Sequence, residues 1–175
     1  MKDLLAQKPE DLGEVHAVVA GCGVDEFNYG VHAYSLAVGI LGPGVASARH
    51  LGRHVQEQVQ LTWKDGRQGL LIIGETPAWI PFYATVVTTK KVVQMPIDAG
   101  KLYRALLEHD LPILEKKSPP VPIRELLAPE LAAMAVRASK EQFGDAVALD
   151  ELDPQEEGYD GKTFAIAYRE KQRKK

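Results

Sequence analysis

A regular alternation of apolar and polar residues runs through "HVQEQVQLTW" at positions 54–63. The apolar positions are Val55, Val59, Leu61 and Trp63. Such alternation is typical of a strand with one buried face, although Glu57 interrupts the apolar side. The next residues, "KDGR", contain Asp65-Gly66, which can adopt the positive φ angles of a tight turn, and "QGLLIIG" can return as the partner strand. The sequence therefore predicts a hairpin with one polar face.

Several other segments are predicted to be strands. "GEVHAVVAG" at 13–21 is a β-rich run bounded by glycines, which is typical of a largely buried strand. Further β-rich runs occupy 45–52, 81–91, 92–98 and 144–152. The runs at 81–91 and 92–98 follow each other closely, so they can form a second hairpin.

Three segments have helical spacing instead. Apolar residues recur at intervals of three and four from Tyr29 to Leu41, and "GPG" ends this helix because glycine and proline favour a cap. Helical patterns also cover 99–114 and 124–143, separated by a proline-rich connector. The predicted apolar stripe of the last helix is Leu127, Leu131, Met134 and Ala138. Pro129 marks either a kink or the first turn of that helix.

The order of these elements predicts one α+β domain over residues 1–175, with a mainly antiparallel open sheet and helices packed on one face. Its core is expected at about 13–152, and 153–175 is expected to be a tail or an extra edge strand. The polar row of the first hairpin consists of Gln56, Gln58, Gln60 and Thr62. It indicates that the second sheet face is open to water or to another subunit. Homo-oligomerisation through this open face is therefore predicted.

Composition excludes several classes of partner. The formal charge is −3 and the pI about 6.0, so no general basic field attracts nucleic acid or an anionic membrane. No run approaches the roughly 18 apolar residues that span a bilayer. Cys22 is the only cysteine, which favours a reducing compartment, and we expect a cytoplasmic protein.

His32 is the main candidate for chemistry. It lies near the start of the first predicted helix, where a neutral imidazole can accept a proton at working pH. Asn28 is four residues earlier, so the two side chains share one helix face if the helix begins by Asn28, although Asn28 can equally be the N-cap. Asp25 and Tyr29 add polarity in the same segment. A histidine that is only packed and hydrogen-bonded is the more common alternative.

The remaining candidates are weaker. His50 and His54 flank a predicted strand boundary, and their spacing in extended chain does not bring two imidazoles to one metal, so a surface or loop role is expected. Cys22 is expected to be a small buried residue. Three aromatic residues can line a pocket or simply pack: Trp79, Phe82 and Tyr83. Neither G-x-G-x-x-G after a strand nor G-x-x-x-x-G-K-[ST] occurs, so no cofactor-binding residue and no metal ligand is predicted.

The segment "NYGVHAYSLAVGILGPGVASARHLG" resembles the C-terminal domain of the Gfo/Idh/MocA family of NAD(P)-dependent oxidoreductases. The similarity continues through "LTWKDGRQGLLIIG" and "AVRASKEQFGDAVALDEL", and it covers residues 13 to about 152. The resemblance implies an α+β domain that contacts substrate and other subunits. In the parent protein this domain stands beside a Rossmann domain that binds NAD or NADP.

The resemblance also implies roles for individual residues. His32 matches the family's active-site histidine, which assists proton transfer from a sugar or polyol hydroxyl. Asn28 stands where the family usually has aspartate, and it is the second catalytic candidate. Tyr29 and Asp25 are the expected substrate contacts. "QKP" at 7–9 resembles the family's E-K-P motif in letters only, because that motif belongs to the cofactor domain.

These expectations together predict the substrate-binding and oligomerising domain of an NAD(P)-dependent oxidoreductase that acts on a sugar or polyol. The chain alone is expected to be inactive and to bind no cofactor. A second hypothesis is an oligomeric ligand-binding or scaffold module without catalysis. A third is a cofactor-free isomerase or lyase that uses His32 as its base.

Overall fold

The computed structural model describes residues 9–25, 29–153 and 160–173. Within these ranges a seven-stranded sheet has the order β6-β5-β1-β4-β3-β2-β7. The strands are β1 (Val15–Cys22), β2 (Val45–Arg53), β3 (Glu57–Trp63), β4 (Gln68–Ile73), β5 (Tyr83–Thr88), β6 (Val92–Pro96) and β7 (Val147–Ala148). β1 and β4 are parallel, and the other neighbours are antiparallel. The predicted mainly antiparallel α+β class is confirmed.

Six α-helices accompany this sheet in the described part of the chain. They are α1 (Pro9–Leu12), α2 (Val31–Leu41), α3 (Leu102–Leu114), α4 (Ile123–Leu126), α5 (Ala128–Glu141) and α6 (Gly161–Arg173). A 3-10 turn at Ala99–Lys101 leads into α3. The predicted helix at 29–41 is confirmed, with its N-cap at Gly30.

The predicted hairpin is confirmed as β3 and β4. Gly66 has φ 88° at the turn, and the Asp65 carboxylate accepts the Arg67 N–H at 3.1 Å. Val59, Leu61 and Trp63 are buried on the inner face, as the alternation predicts, whereas Val55 precedes the strand and is exposed. The buried Trp63 indole satisfies its N–H by donating to the Gly42 carbonyl at 2.8 Å, which fixes the end of α2 against the hairpin.

The helices α2 and α5 cover one face of the sheet and also contact each other. Their contact faces consist largely of small side chains, which let helix and sheet backbones approach closely. The buried members are Ala33, Tyr34, Ala37, Leu41, Ala128, Pro129, Ala132, Ala135, Val136 and Ser139. The predicted stripe of the last helix is therefore wrong at two of its four positions, since Ala138 packs against the core and Leu131 is half-buried. Leu127 and Met134 are exposed, because the narrow space beside α2 accepts alanine rather than leucine.

Two other helices differ from expectation. The segment containing "KTFAIAY", predicted to be a tail or an edge strand, forms α6 instead. The Asp160 carboxylate starts this helix by accepting the Lys162 N–H at 2.9 Å and the Thr163 hydroxyl at 2.6 Å. The helix α3 forms where predicted, but none of its residues is buried.

The second sheet face carries a half-buried apolar centre. Across four neighbouring strands, Thr85, Val19, Leu70 and Gln60 lie in register. The outer glutamines of this face join by a hydrogen bond from Gln60 Nε2 to Gln68 Oε1 at 3.1 Å. This face thus combines an apolar centre with a polar rim.

Candidate functional site

A cleft of about 630 Å³ opens at the carboxyl ends of the parallel strands β1 and β4. The segments that follow both strands contribute to it, together with one residue of α6. Its lining residues are Gly23, Val24, Asp25, Tyr29, Glu75, Thr76, Trp79 and Tyr168. Because the two strands run in the same direction, their following loops meet at one edge of the sheet, which is a favoured place for ligand binding.

Close backbone packing shapes the floor of the cleft. The Gly23 N–H donates to the Ile80 carbonyl at 2.9 Å. A Cβ at position 23 would lie 2.6 Å from Thr76 Oγ1 and 2.9 Å from the Ile80 nitrogen, so only glycine fits here without a shift. The Thr76 hydroxyl donates to the Ala78 carbonyl at 2.7 Å and orders the loop that carries Trp79.

A glutamine joins the two strand ends below the cleft. Gln56 Nε2 donates to the Cys22 carbonyl at 2.8 Å and to the Gly74 carbonyl at 3.1 Å. These bonds satisfy backbone oxygens where β1 and β4 end. The sequence pattern places Gln56 in the polar row of the open face, so this bridging role was missed.

His32 lies in the first turn of α2 and is exposed. Its imidazole forms no hydrogen bond with any residue that the structure describes, but it contacts two aromatic rings. The centroids of Tyr29 and His32 are 6.0 Å apart, and those of Phe82 and His32 are 5.8 Å apart with the planes at 77°. His32 is not itself a lining residue of the cleft, but it lies beside Tyr29, which is.

The backbone before α2 places Asp25 and Tyr29 together. The N–H groups of Tyr29 and Gly30 both donate to the Asp25 carbonyl, at 3.3 and 3.0 Å. These bonds hold the Asp25 backbone next to the start of α2, and both predicted substrate contacts line the cleft. Asn28, the second catalytic candidate, lies outside the described residues.

Other aromatic and acidic residues complete the site. Trp79 lines the cleft and Phe82 contacts His32, whereas Tyr83 is half-buried in β5. Glu75 and Tyr168 were missed by the sequence analysis. Glu75 lies in a loop with no recognisable motif, and Tyr168 comes from a segment whose helical structure was not predicted.

His50 does not have the surface or loop role predicted for it. Its side chain is 12% exposed and its Nε2 lies 2.5 Å from Glu57 Oε2, while Lys140 Nζ lies 2.8 Å from Glu57 Oε1. Burial by itself raises the pKa of Glu57, but the Lys140 ammonium and the His50 ring lower it more, so its pKa lies below the usual range. This ion cluster fastens β2 and β3 to α5.

Cys22 is buried beneath the cleft, as predicted. Burial raises the pKa of its thiol, and Asp25 raises it further, against a backbone hydrogen bond from Val24 that lowers it. A protonated, enclosed thiol is a poor nucleophile. Cys22 therefore has a packing role.

The described residues form neither a metal site nor a membrane-spanning helix. No group of three or more His, Cys, Asp or Glu side chains there is arranged to hold a metal ion. Among the described helices, none is both long and apolar enough to cross a membrane.

No family model and no curated protein matches the chain. Solved structures do share its fold, and they are NAD(P)-dependent oxidoreductases of the Gfo/Idh/MocA type. The resemblance found in the sequence is thus confirmed at the level of the fold.

Three of these structures illustrate the similarity. GenD2 from gentamicin A biosynthesis, solved with NAD, is 17% identical with a TM-score of 0.61, over 82% of this chain and 58% of its own. The scyllo-inositol dehydrogenase from Lactobacillus casei, solved with NAD(H) and scyllo-inositol, is 12% identical with a TM-score of 0.61. The match covers 86% of this chain and 60% of the dehydrogenase. The WlbA dehydrogenase from Bordetella pertussis, solved with NADH and UDP-GlcNAcA, is 15% identical with a TM-score of 0.57. The match covers 82% of this chain and 57% of the WlbA chain. The chain therefore spans less than two thirds of the length of each of these three structures.

Proposed function

We propose that this chain is the substrate-binding and oligomerising part of a cytoplasmic NAD(P)-dependent oxidoreductase that acts on a sugar or polyol. The observation that carries the proposal is the exposed imidazole of His32, free of hydrogen bonds to the described residues, beside the cleft residue Tyr29. The shared fold with NAD-bound dehydrogenases supports the reaction class.

The cleft residues suggest how a substrate is held. A sugar or cyclitol ring can stack on an aromatic side chain of the rim, while the Asp25 and Glu75 carboxylates accept hydrogen bonds from its hydroxyls. A hydroxyl that points to His32 can then donate its proton to the imidazole as the attached carbon is oxidised. His32 thus acts as the general base, and Phe82 and Tyr29 restrict the position of its ring.

The hydride acceptor does not belong to this chain in our proposal. The sequence has no glycine-rich phosphate cradle after a strand, so these residues do not fit a dinucleotide, and a Rossmann domain of the parent protein would supply that site. Titration of the chain with NADH should therefore show no saturable binding. Measurable NADH binding would contradict this division between the two domains.

Histidine ring signals in NMR spectra test the proposal directly. Addition of scyllo-inositol or myo-inositol should shift the ring signals of His32. The signals of His109, which is exposed on α3 beside Asp110, should not move and serve as an internal control. His32→Ala should weaken polyol binding. If a polyol binds with unchanged affinity in this variant and without a shift at His32, the chain is a ligand-binding or scaffold module without catalysis.

A further inference from the structure

Three aromatic side chains line the cleft, and two of them are more than half exposed to solvent. Trp79 is 68% exposed and Tyr29 is 56% exposed, while the half-buried Tyr168 faces the same space from α6. A tryptophan this accessible in a concave site leaves a large apolar surface in contact with water. An exposed indole face binds sugar rings, and it also attracts cations through its negative quadrupole.

The charge of the cleft indicates whether a neutral sugar ring or a cation is the preferred ligand. Among its eight described lining residues are two carboxylates, those of Asp25 and Glu75, and no lysine, arginine or histidine. Glu75 is exposed and forms no hydrogen bond or ion pair with any residue that the structure describes. The N-terminus of α2 opposes this charge with about half a positive charge. Glu75 alone outweighs that contribution, so the cleft attracts cations.

We infer that the cleft selects a ring substrate that carries an ammonium group, an amino sugar or an aminocyclitol. The ammonium group binds at the loop 74–80, between the indole face of Trp79 and the Glu75 carboxylate, and the ring hydroxyls extend towards His32. Cation–π attraction and a charge-assisted hydrogen bond favour the amine over the neutral analogue. This inference rests on the proposed function and specifies its substrate class.

Tryptophan fluorescence offers a direct test, because the two tryptophans differ in environment. Trp63 is 2% exposed and sealed in the core, so ligand-dependent changes of emission report on Trp79. The full chain is titrated with scyllo-inosamine, scyllo-inositol and glucuronate at pH 7 and low salt. The amine should bind at least about tenfold more tightly than scyllo-inositol, and glucuronate most weakly, as charge-assisted pairing predicts. The preference should shrink at high salt.

Two substitutions locate the source of the preference. Glu75→Gln should reduce the ratio of the amine and scyllo-inositol affinities to near one. Glu130→Gln removes an exposed carboxylate on α5, outside the cleft, and should keep the ratio. Equal affinities for amine and cyclitol in the wild type would overturn this inference but leave the proposed function intact. Amine binding without a change in Trp79 emission would also overturn it, and the absence of binding by all three ligands would overturn both proposals.

Discussion

The ring of Phe82 meets the ring of His32 edge-on, with the centroids 5.8 Å apart. Phe82 directly precedes β5, and its carbonyl accepts the Ile97 N–H at 3.1 Å at the end of β6. The sheet edge therefore sets the position of Phe82, and Phe82 in turn limits where the imidazole can lie.

Phe82→Leu is expected to change the environment of His32 while the fold is kept. The leucine removes the ring current that the phenyl group exerts on the imidazole, so the carbon-bound ring protons of His32 should shift in the NMR spectrum. Because Phe82 is only half-buried, the free energy of unfolding should fall by about 1 kcal/mol. Phe143→Leu changes an exposed phenylalanine beyond α5 and should leave the His32 signals in place. Identical His32 signals in both variants would contradict this contact.

Gly23→Ala should destabilise the chain. The added methyl group would meet backbone as well as side-chain atoms of Ile80, so the loop of the cleft must move, and the free energy of unfolding should fall by about 1 to 3 kcal/mol. Urea unfolding measures this change. Gly161→Ala is the matched control, since a Cβ there meets nothing within 4 Å. An equally stable Gly23→Ala variant would show that the loop is not packed against β1.

The Glu57 cluster should make stability depend on pH in the acid range. The pKa of Glu57 is lowered in the folded chain, so this group stabilises the fold above the ordinary glutamate pKa. That contribution is lost as the pH falls through the lowered value. Glu57→Gln should therefore lower the free energy of unfolding at pH 7 by about 1 to 3 kcal/mol. In this variant the free energy of unfolding should also depend less steeply on pH between about pH 5 and pH 3.

Urea unfolding at a series of pH values provides the measurement for Glu57. Glu141→Gln is the control, because its ion pair with Arg137 is exposed at both ends. That substitution should change the free energy of unfolding by less than about 0.5 kcal/mol. If the free energy of unfolding depends on acid pH equally in both variants and the wild type, Glu57 is not the source of the pH dependence.

Cys22 should be inert in the folded chain. Its side chain is 1% exposed and burial raises the pKa of the thiol, so little thiolate is present or accessible at pH 8. A chromogenic disulfide reagent should release about one equivalent of signal only after denaturant is added. Stoichiometric reaction within seconds under native conditions would mean that the floor of the cleft opens readily.

Local patterns predicted much of the fold, because periodicity reports which face of an element is buried. The alternation before Trp63 gave the β3–β4 hairpin, and the spacing after Tyr29 gave α2. The "KTFAIAY" run is too short for its apolar pattern to separate strand from helix. The Asp160 cap was the available signal for α6, and it was overlooked.

The site was less predictable than the fold, since its parts are far apart in sequence. His32, Tyr29 and Asp25 share one segment, so a single motif was enough to propose them as site residues. Tyr168 reaches the cleft only through the placement of α6, and Gln56 matches its neighbouring glutamines although its amide joins β1 to β4. Such roles depend on tertiary contacts that composition and spacing do not encode.

The open sheet face provides the test of the proposed oligomer. Leu70 lies at its centre, paired with Val19 on one side and Gln60 on the other, and it is half-buried in the single chain. An apolar centre with a polar rim is the usual arrangement of a subunit interface. A second copy related by a two-fold axis would bury this centre completely.

Leu70→Lys should therefore dissociate the oligomer into monomers. A lysine at the centre of an isologous interface faces its own copy across the two-fold axis, so each dimer would bring two like charges together. Sedimentation velocity over a wide range of concentrations should show an oligomer for the wild type and a monomer for this variant. Thr85→Lys, in register on β5, provides a second variant if Leu70→Lys does not fold. Ile166→Lys, on exposed α6, should keep the wild-type assembly, and a wild-type chain that is monomeric throughout would refute an interface on this face.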